Sequence, residues 1–115
     1  MKTTKIHTIK MYDKTYRIRF ALSAYRNNGA PAIVAINEDD GDVFAVVSVN
    51  IPGYDTGDNM VVADTNNCEE LIDAMEREGV IGEPEDYIQS GFCVYPVVKI
   101  NKEVFNEDHG EEEAA

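Results

Sequence analysis

The sequence predicts an α+β domain: a curled antiparallel sheet of about five to seven strands with one α-helix packed across a face. Two observations carry this. Short apolar stretches recur between clusters of Asn, Asp and Gly along most of the chain, which is the punctuation of hairpins. A single segment, near residues 67–78, spaces its apolar side chains as a helix does.

From the N-terminus, Tyr16, Ile18, Phe20 and Leu22 alternate with Arg17, Arg19 and Ala21, the period of a half-buried strand. Ile9 and Met11 mark a strand before it, and Asp13-Lys14 falls where a tight turn would join the two. Arg17 and Arg19 are expected on the outward face, because side chains two apart point the same way. Asn27-Asn28-Gly29 then interrupts with residues that tolerate positive φ. Residues 32–36 and 43–49 form a second hairpin around Asn37-Glu38-Asp39-Asp40-Gly41-Asp42. Both strands are apolar nearly throughout, which predicts central strands covered on both faces. One helix covers only part of one side, so a homodimer through the sheet is expected.

Residues 52–59 read as a polar loop and residues 60–63 as a further strand. The helix is bounded by Asn66 or Asn67 as N-cap, Glu69 and Glu70 in the first turn, and Gly79 past the last. Cys68, Leu71, Ile72 and Met75 at i, i+3, i+4 and i+7 form its buried stripe, which leaves Glu76, Arg77 and Glu78 in water. Gly82-Glu83-Pro84-Glu85-Asp86 reads as a connector. Strands follow at 87–88 and 92–100, broken at Ser90-Gly91, with Pro96 marking an edge or a bulge. A single domain is expected over residues 1–100, and a flexible acidic tail over 101–115.

The chain has 115 residues, with 22 acidic and 10 basic side chains and a net charge of −12. No apolar run approaches the ~20 residues of a membrane span, and no signal-peptide block opens the chain. The expected setting is cytoplasmic and away from membranes. Such a charge repels phosphate, which disfavours direct nucleic-acid binding. It is also segregated: residues 1–26 hold seven cations and one acid, whereas residues 37–86 hold fifteen acids and a single cation, Arg77.

Known site chemistries find little support. Cys68, Cys93, His7 and His109 lack close-spaced ligand pairs. Both cysteines therefore read as reduced packing residues and no metal is expected, the alternative being a zinc shared with carboxylates or a second chain. The acidic turn at 37–42 lacks the flanking helices and terminal glutamate of a calcium loop. Ser90 lacks the flanking glycines of a nucleophile elbow, there is no phosphate-cradling glycine loop, and the two histidines lie near the chain ends. Neither an enzyme nor a cofactor is expected.

Four stretches exceed composition: Tyr25-Arg26-Asn27-Asn28-Gly29; Asp39-Asp40-Gly41 followed by Phe44 and Val47-Ser48-Val49-Asn50-Ile51-Pro52; Asp64-Thr65-Asn66-Asn67-Cys68; and Ser90-Gly91-Phe92-Cys93-Val94-Tyr95-Pro96. In this order they resemble a small bacterial family of unknown function found on conjugative elements and prophages. The resemblance runs from residue 5 to residue 100 or so, and it implies a mobile-element setting. In general pattern alone the scaffold is also similar to some anti-CRISPR proteins that inhibit type II RNA-guided nucleases. Such nucleases hold nucleic acid in cationic channels, where an acidic protein can compete.

The expected function is a non-enzymatic acidic binding or inhibitor protein whose partner is a host protein that handles nucleic acid. Its expected contact residues are Glu38, Asp39, Asp40, Asp42, Asp55 and Asp58, which occupy predicted turns where side chains project without disturbing a core. The alternative is an accessory protein of the mobile element with no inhibitory role, its acidic surface serving solubility.

Overall fold

The computed structural model describes residues 2–108. Among them the elements run β1 (Lys2–Thr3), β2 (His7–Met11), β3 (Lys14–Ala24), β4 (Pro31–Asn37), β5 (Val43–Val46), β6 (Met60–Val62), α1 (Thr65–Arg77), β7 (Ile81–Ser90), β8 (Cys93–Ile100) and β9 (Glu107–Asp108), with a 3-10 turn at Lys102–Val104. The α+β class holds, but the strands divide between two antiparallel sheets. One has the order β5-β4-β3-β1-β9, with β2 also paired to β3; the other has the order β6-β8-β7. They meet where residues 47–49 cross from one to the other. There Val47 N donates to Ile33 O, Ser48 bridges Ala63, and Val49 N donates to Val62 O.

The β2–β3 hairpin follows its alternation. Ile9, Met11, Ile18 and Phe20 are buried on one face, while Arg17 and Arg19 share the other. Its turn sits one residue earlier than Asp13-Lys14, with Tyr12 and Asp13 at φ of 52° and 63°. A two-residue hairpin turn of this kind needs left-handed backbone at both central positions. Between β1 and β2 the ladder is patched by a side chain: Thr4 N donates to Phe20 O, and Phe20 N donates to Thr4 Oγ1.

β4 lies inside its sheet, but β5 is the edge, and Val43 and Val46 are 62% and 48% exposed. The expectation of two covered central strands therefore fails for β5. Its valines record a preference for pleated backbone, and composition does not encode how many neighbours a strand will find.

α1 begins before either candidate asparagine cap. Asp64 is the N-cap, its Oδ1 accepting from Asn67 N at 3.2 Å, and the backbone leaves helical geometry at Cys68 (φ −131°). Across that kink, Leu71, Ile72 and Met75 are buried as expected, together with Ala74, whereas Cys68, the first position of the expected stripe, sits at the kink and is half-buried. They join Ile9, Phe20, Ile33, Val61, Val98, Ile100 and Phe105 in one core between the sheets.

The expected connector over 82–86 is part of β7. Two register shifts, between Ile81 and Pro84 and between Pro84 and Asp86, fit the proline and glycine into an edge strand. Pro96 is buried in the central strand of the second sheet, at the level where β6 ends and Ala63 N donates to Pro96 O. Residues 101–108, assigned by sequence to the tail, contribute the buried Phe105 to the core and pair β9 with β1, Lys2 opposite Asp108 and Thr3 opposite Glu107. The remainder of that tail, with His109, lies outside the described residues. Among the described residues no helix is long and apolar enough to cross a membrane.

Candidate functional site

Of the six carboxylates singled out in the sequence, four share the β4–β5 turn. The turn is closed by Asn37 N donating to Asp42 O and Gly41 N to Asn37 O, with Gly41 at φ 75°. Asn37 Oδ1 accepts from Asp39 N, and Asp40 Oδ1 from Asp42 N. Two of these four acids are already paired. Arg17 Nη1 donates to Asp39 Oδ1 at 2.8 Å, and Arg19 Nε donates to Glu38 Oε2 at 3.3 Å. Arg19 also reaches Glu107 Oε1 at 2.7 Å and Thr4 O at 3.0 Å. Burial works against the Arg19 charge, but its bonds to Glu38 and Glu107 outweigh that and hold its pKa above the ordinary value. Asp40 and Asp42 remain exposed.

Asp55 and Asp58 lie elsewhere. Asp55 Oδ1 accepts from Gly57 N, and Asp55 lines a small recess with Asn28, Ala30 and Tyr54. Asn28 and Ala30 precede β4, whereas residues 38–42 follow it, and a seven-residue strand spans about 20 Å. The structure thus brings Glu38, Asp39, Asp40 and Asp42 together and sets Asp55 beside the opposite end of β4.

A denser anionic surface is on α1. Glu69, Glu70, Asp73 and Glu76 are all exposed, and so are Glu83, Glu85 and Asp86 on β7. The turn-based reading passed over them, although the signal was available: Glu69, Asp73 and Glu76 repeat at i, i+4 and i+7, opposite the apolar stripe. Lys10, Arg17 and Arg19 occupy the outer face of the first sheet, with the core between them and α1. The exposed carboxylates of α1 and the arginine–carboxylate pairs of the outer sheet face therefore point away from each other.

Other polar groups fasten elements together. His7, 5% exposed, holds Glu78 Oε1 through Nδ1 at 2.9 Å, and its buried Nε2 has no hydrogen-bond partner among the described residues. This ties β2 to the end of α1. Cys68 and Cys93 are half-buried free thiols. Burial first, then the Asp64 carboxylate, pushes the Cys68 thiol above its ordinary value. The Tyr95 phenol is raised above its ordinary value by the neighbouring Cys93 first, with burial and Asp64 adding to it. Among the described residues no three His, Cys, Asp or Glu side chains cluster to hold a metal. A recess of about 610 Å³ at the base of β7 and β8 has Ile81 and Ile100 in its wall and Lys99, Lys102 and Glu103 around it.

A domain of unknown function, DUF4313, matches residues 20–112. The chain belongs to that family. No curated protein and no solved structure matches it.

In this DUF4313 domain three of the four sequence stretches have visible structural work. Tyr25 Oη and Ser48 Oγ are 2.8 Å apart, and Ser48 Oγ accepts from Ile33 N. Asn28 Nδ2 donates to Asn50 Oδ1, and Asn50 Nδ2 donates to Asn27 Oδ1, which ties the β3–β4 turn to the segment after β5. Asp64 caps α1. The fourth stretch forms the tip of the β7–β8 hairpin, where Gly91 takes φ 61° and the Phe92 side chain is fully exposed.

Proposed function

We propose that this DUF4313 domain is a non-enzymatic acidic binding protein of a mobile genetic element that occupies a cationic nucleic-acid site on a host defence protein, a type II CRISPR nuclease being one such target. The observation that carries the reading is the anionic face of α1. Glu69, Glu70, Asp73 and Glu76 place four carboxylates along about 10 Å of helix axis, close to the roughly 3.4 Å charge spacing of a single nucleic-acid strand. Glu83, Glu85 and Asp86 extend it. The exposed Asp40 and Asp42, with Asp55 and Asp58, add steering charge at the rim; Glu38 and Asp39 contribute less, being neutralised by Arg19 and Arg17.

Capture from a lysate of the native host at low and at moderate salt tests this, followed by an assay of any captured nuclease for target-DNA binding. The expected result is a basic nucleic-acid enzyme whose DNA binding is blocked and whose association slows with salt. Combined Glu69→Gln, Asp73→Asn and Glu76→Gln substitution should slow association more than it speeds release. Retention of no such enzyme favours the accessory-protein reading, in which the acidic surface serves solubility. A homodimer, if formed, now rests on the exposed valines of the β5 edge; sedimentation showing only the 12.8 kDa chain removes it.

A further inference from the structure

Folding explains the Tyr25, Ser48 and Asp64 stretches, but it gives no reason for Phe92. This aromatic stands fully in water at the tip of a two-residue turn, and it is not alone: Tyr87 is 62% and Val94 57% exposed. Tyr87 pairs with Pro96, and Gln89 with Val94. Side chains directly opposite one another share a face, so Tyr87, Pro96 and Val94 form one apolar strip leading toward Phe92. That face is the one α1 covers lower down, at Val98 and Ile100. Beyond Pro96 nothing among the described residues covers it.

Local charge and backbone narrow the occupant. The two strands that carry the strip contain Glu83, Glu85 and Asp86 and one cation, Lys99, near the end of β8 away from the tip. A second copy docking on this strip would set these carboxylates against their equals, and an anionic lipid surface would meet the same repulsion. Strand addition along β7 is also hindered. Pro84 and two bulges interrupt the first half of its free edge, and Tyr87 N donates to the adjacent Asp86 Oδ1 at 2.8 Å. What remains suited to the site is side-chain docking into a cationic rim.

We infer that the β7–β8 tip is a docking element, with Phe92 as anchor and Tyr87 and Val94 as its flank, for a protein surface that presents an apolar pocket rimmed by lysine or arginine. This rests on the binding-protein reading above and names the part of the molecule that holds the partner. An aromatic that enters a desolvated pocket supplies the energy that keeps a complex together, whereas exposed carboxylates mainly accelerate encounter.

The test uses the full chain as bait for a phage-displayed library of random peptides, with Phe92→Ser as the counter-selection. Expected are enriched peptides that combine lysine or arginine with a large apolar residue. A synthetic copy of the most enriched peptide should lose about thirtyfold in affinity on Phe92→Ser, the loss typical of a hot-spot aromatic, and less on Val94→Thr. Thermal melts of both variants should match the unsubstituted chain, because neither side chain is buried. The Asp40→Asn, Asp42→Asn pair should slow association and leave dissociation unchanged. Enrichment of uncharged or acidic peptides, equal binding to Phe92→Ser, or no enrichment over the counter-selection overturns the assignment. So does a concentration-dependent dimer that Phe92→Ser abolishes. Peptide binding without any captured host enzyme would instead remove the nucleic-acid-site reading and leave the docking element standing.

Discussion

The β2–β3 hairpin is covered over most of its inner face, with Lys14 exposed next to the turn, whereas the β7–β8 hairpin loses its cover beyond Pro96. Both are long and both turn on two residues. In the first, His7, Ile9, Ile18 and Phe20 are at most 5% exposed. In the second, Val98 and Val94 point to the same face of β8 but are 2% and 57% exposed. The covering element makes the difference. α1 has thirteen residues, about 20 Å of rise, and its buried stripe meets β2 and the base of β7 and β8. On this face of β8, whether a valine becomes core is decided by how far the helix reaches, not by its own hydrophobicity.

Removing the cover should have the largest effect. Leu71→Asp puts an unpaired carboxylate under α1, where Leu71 is 3% exposed. Its expected cost, above about 4 kcal/mol, is enough to unfold the domain. Far-UV circular dichroism checks this, and a melt close to that of the unsubstituted chain would mean α1 is not what protects the hairpins.

Hollowing the covered hairpin comes next. Phe20→Ala should cost about 3–5 kcal/mol by urea titration, since Phe20 is fully buried. The sharpest comparison uses one residue type on one face of one strand. Val98→Ala should cost about 2 kcal/mol, and Val94→Ala less than about 0.5 kcal/mol; equal losses would break the contrast.

The smallest effect is at the margin of the cover. The Cys68 thiol is held above its ordinary value of 9.0, by burial first and by Asp64 second. Alkylation by iodoacetamide at neutral pH should therefore be slower than for an unstructured cysteine. The folded state keeps the thiol proton more tightly than the unfolded state. The associated stability is present below the unfolded value and is lost as pH rises through the folded one. Relative to Cys68→Ala, the chain should thus weaken slightly only above about pH 9.

What the sequence disclosed follows the range of each interaction. The alternation at residues 16–22 and the stripe at 68, 71, 72 and 75 are local periodicities, and both elements appear, with Cys68 left half-buried at a kink. Small displacements came from backbone chemistry: Tyr12 shares the left-handed turn, and Asp64 takes the cap ahead of the asparagines. Larger ones came from pairing. The edge position of β5, the bulged run of β7 and the core position of Phe105 all depend on partners far along the chain. The same holds for the candidate site. The turn acids were legible as acids in turns, but the Arg19 bonds to Glu38 and Glu107 depend on the β3–β4 register and on a contact 88 residues apart. The acids of α1 were legible in principle, as the complement of its apolar stripe.

The ladder between β1 and β9 has a consequence for the order of synthesis. Thr3 of β1 leaves the ribosome 104 residues ahead of Glu107 in its outer neighbour, β9. At translation rates of about 5–20 residues per second, the intervening stretch takes on the order of 5–20 s to emerge. Throughout that interval the outer edge of β1 presents unpaired N–H and C=O groups to any other extended chain. Mispairing at this edge is therefore open to the nascent protein until residues 107–108 have been made.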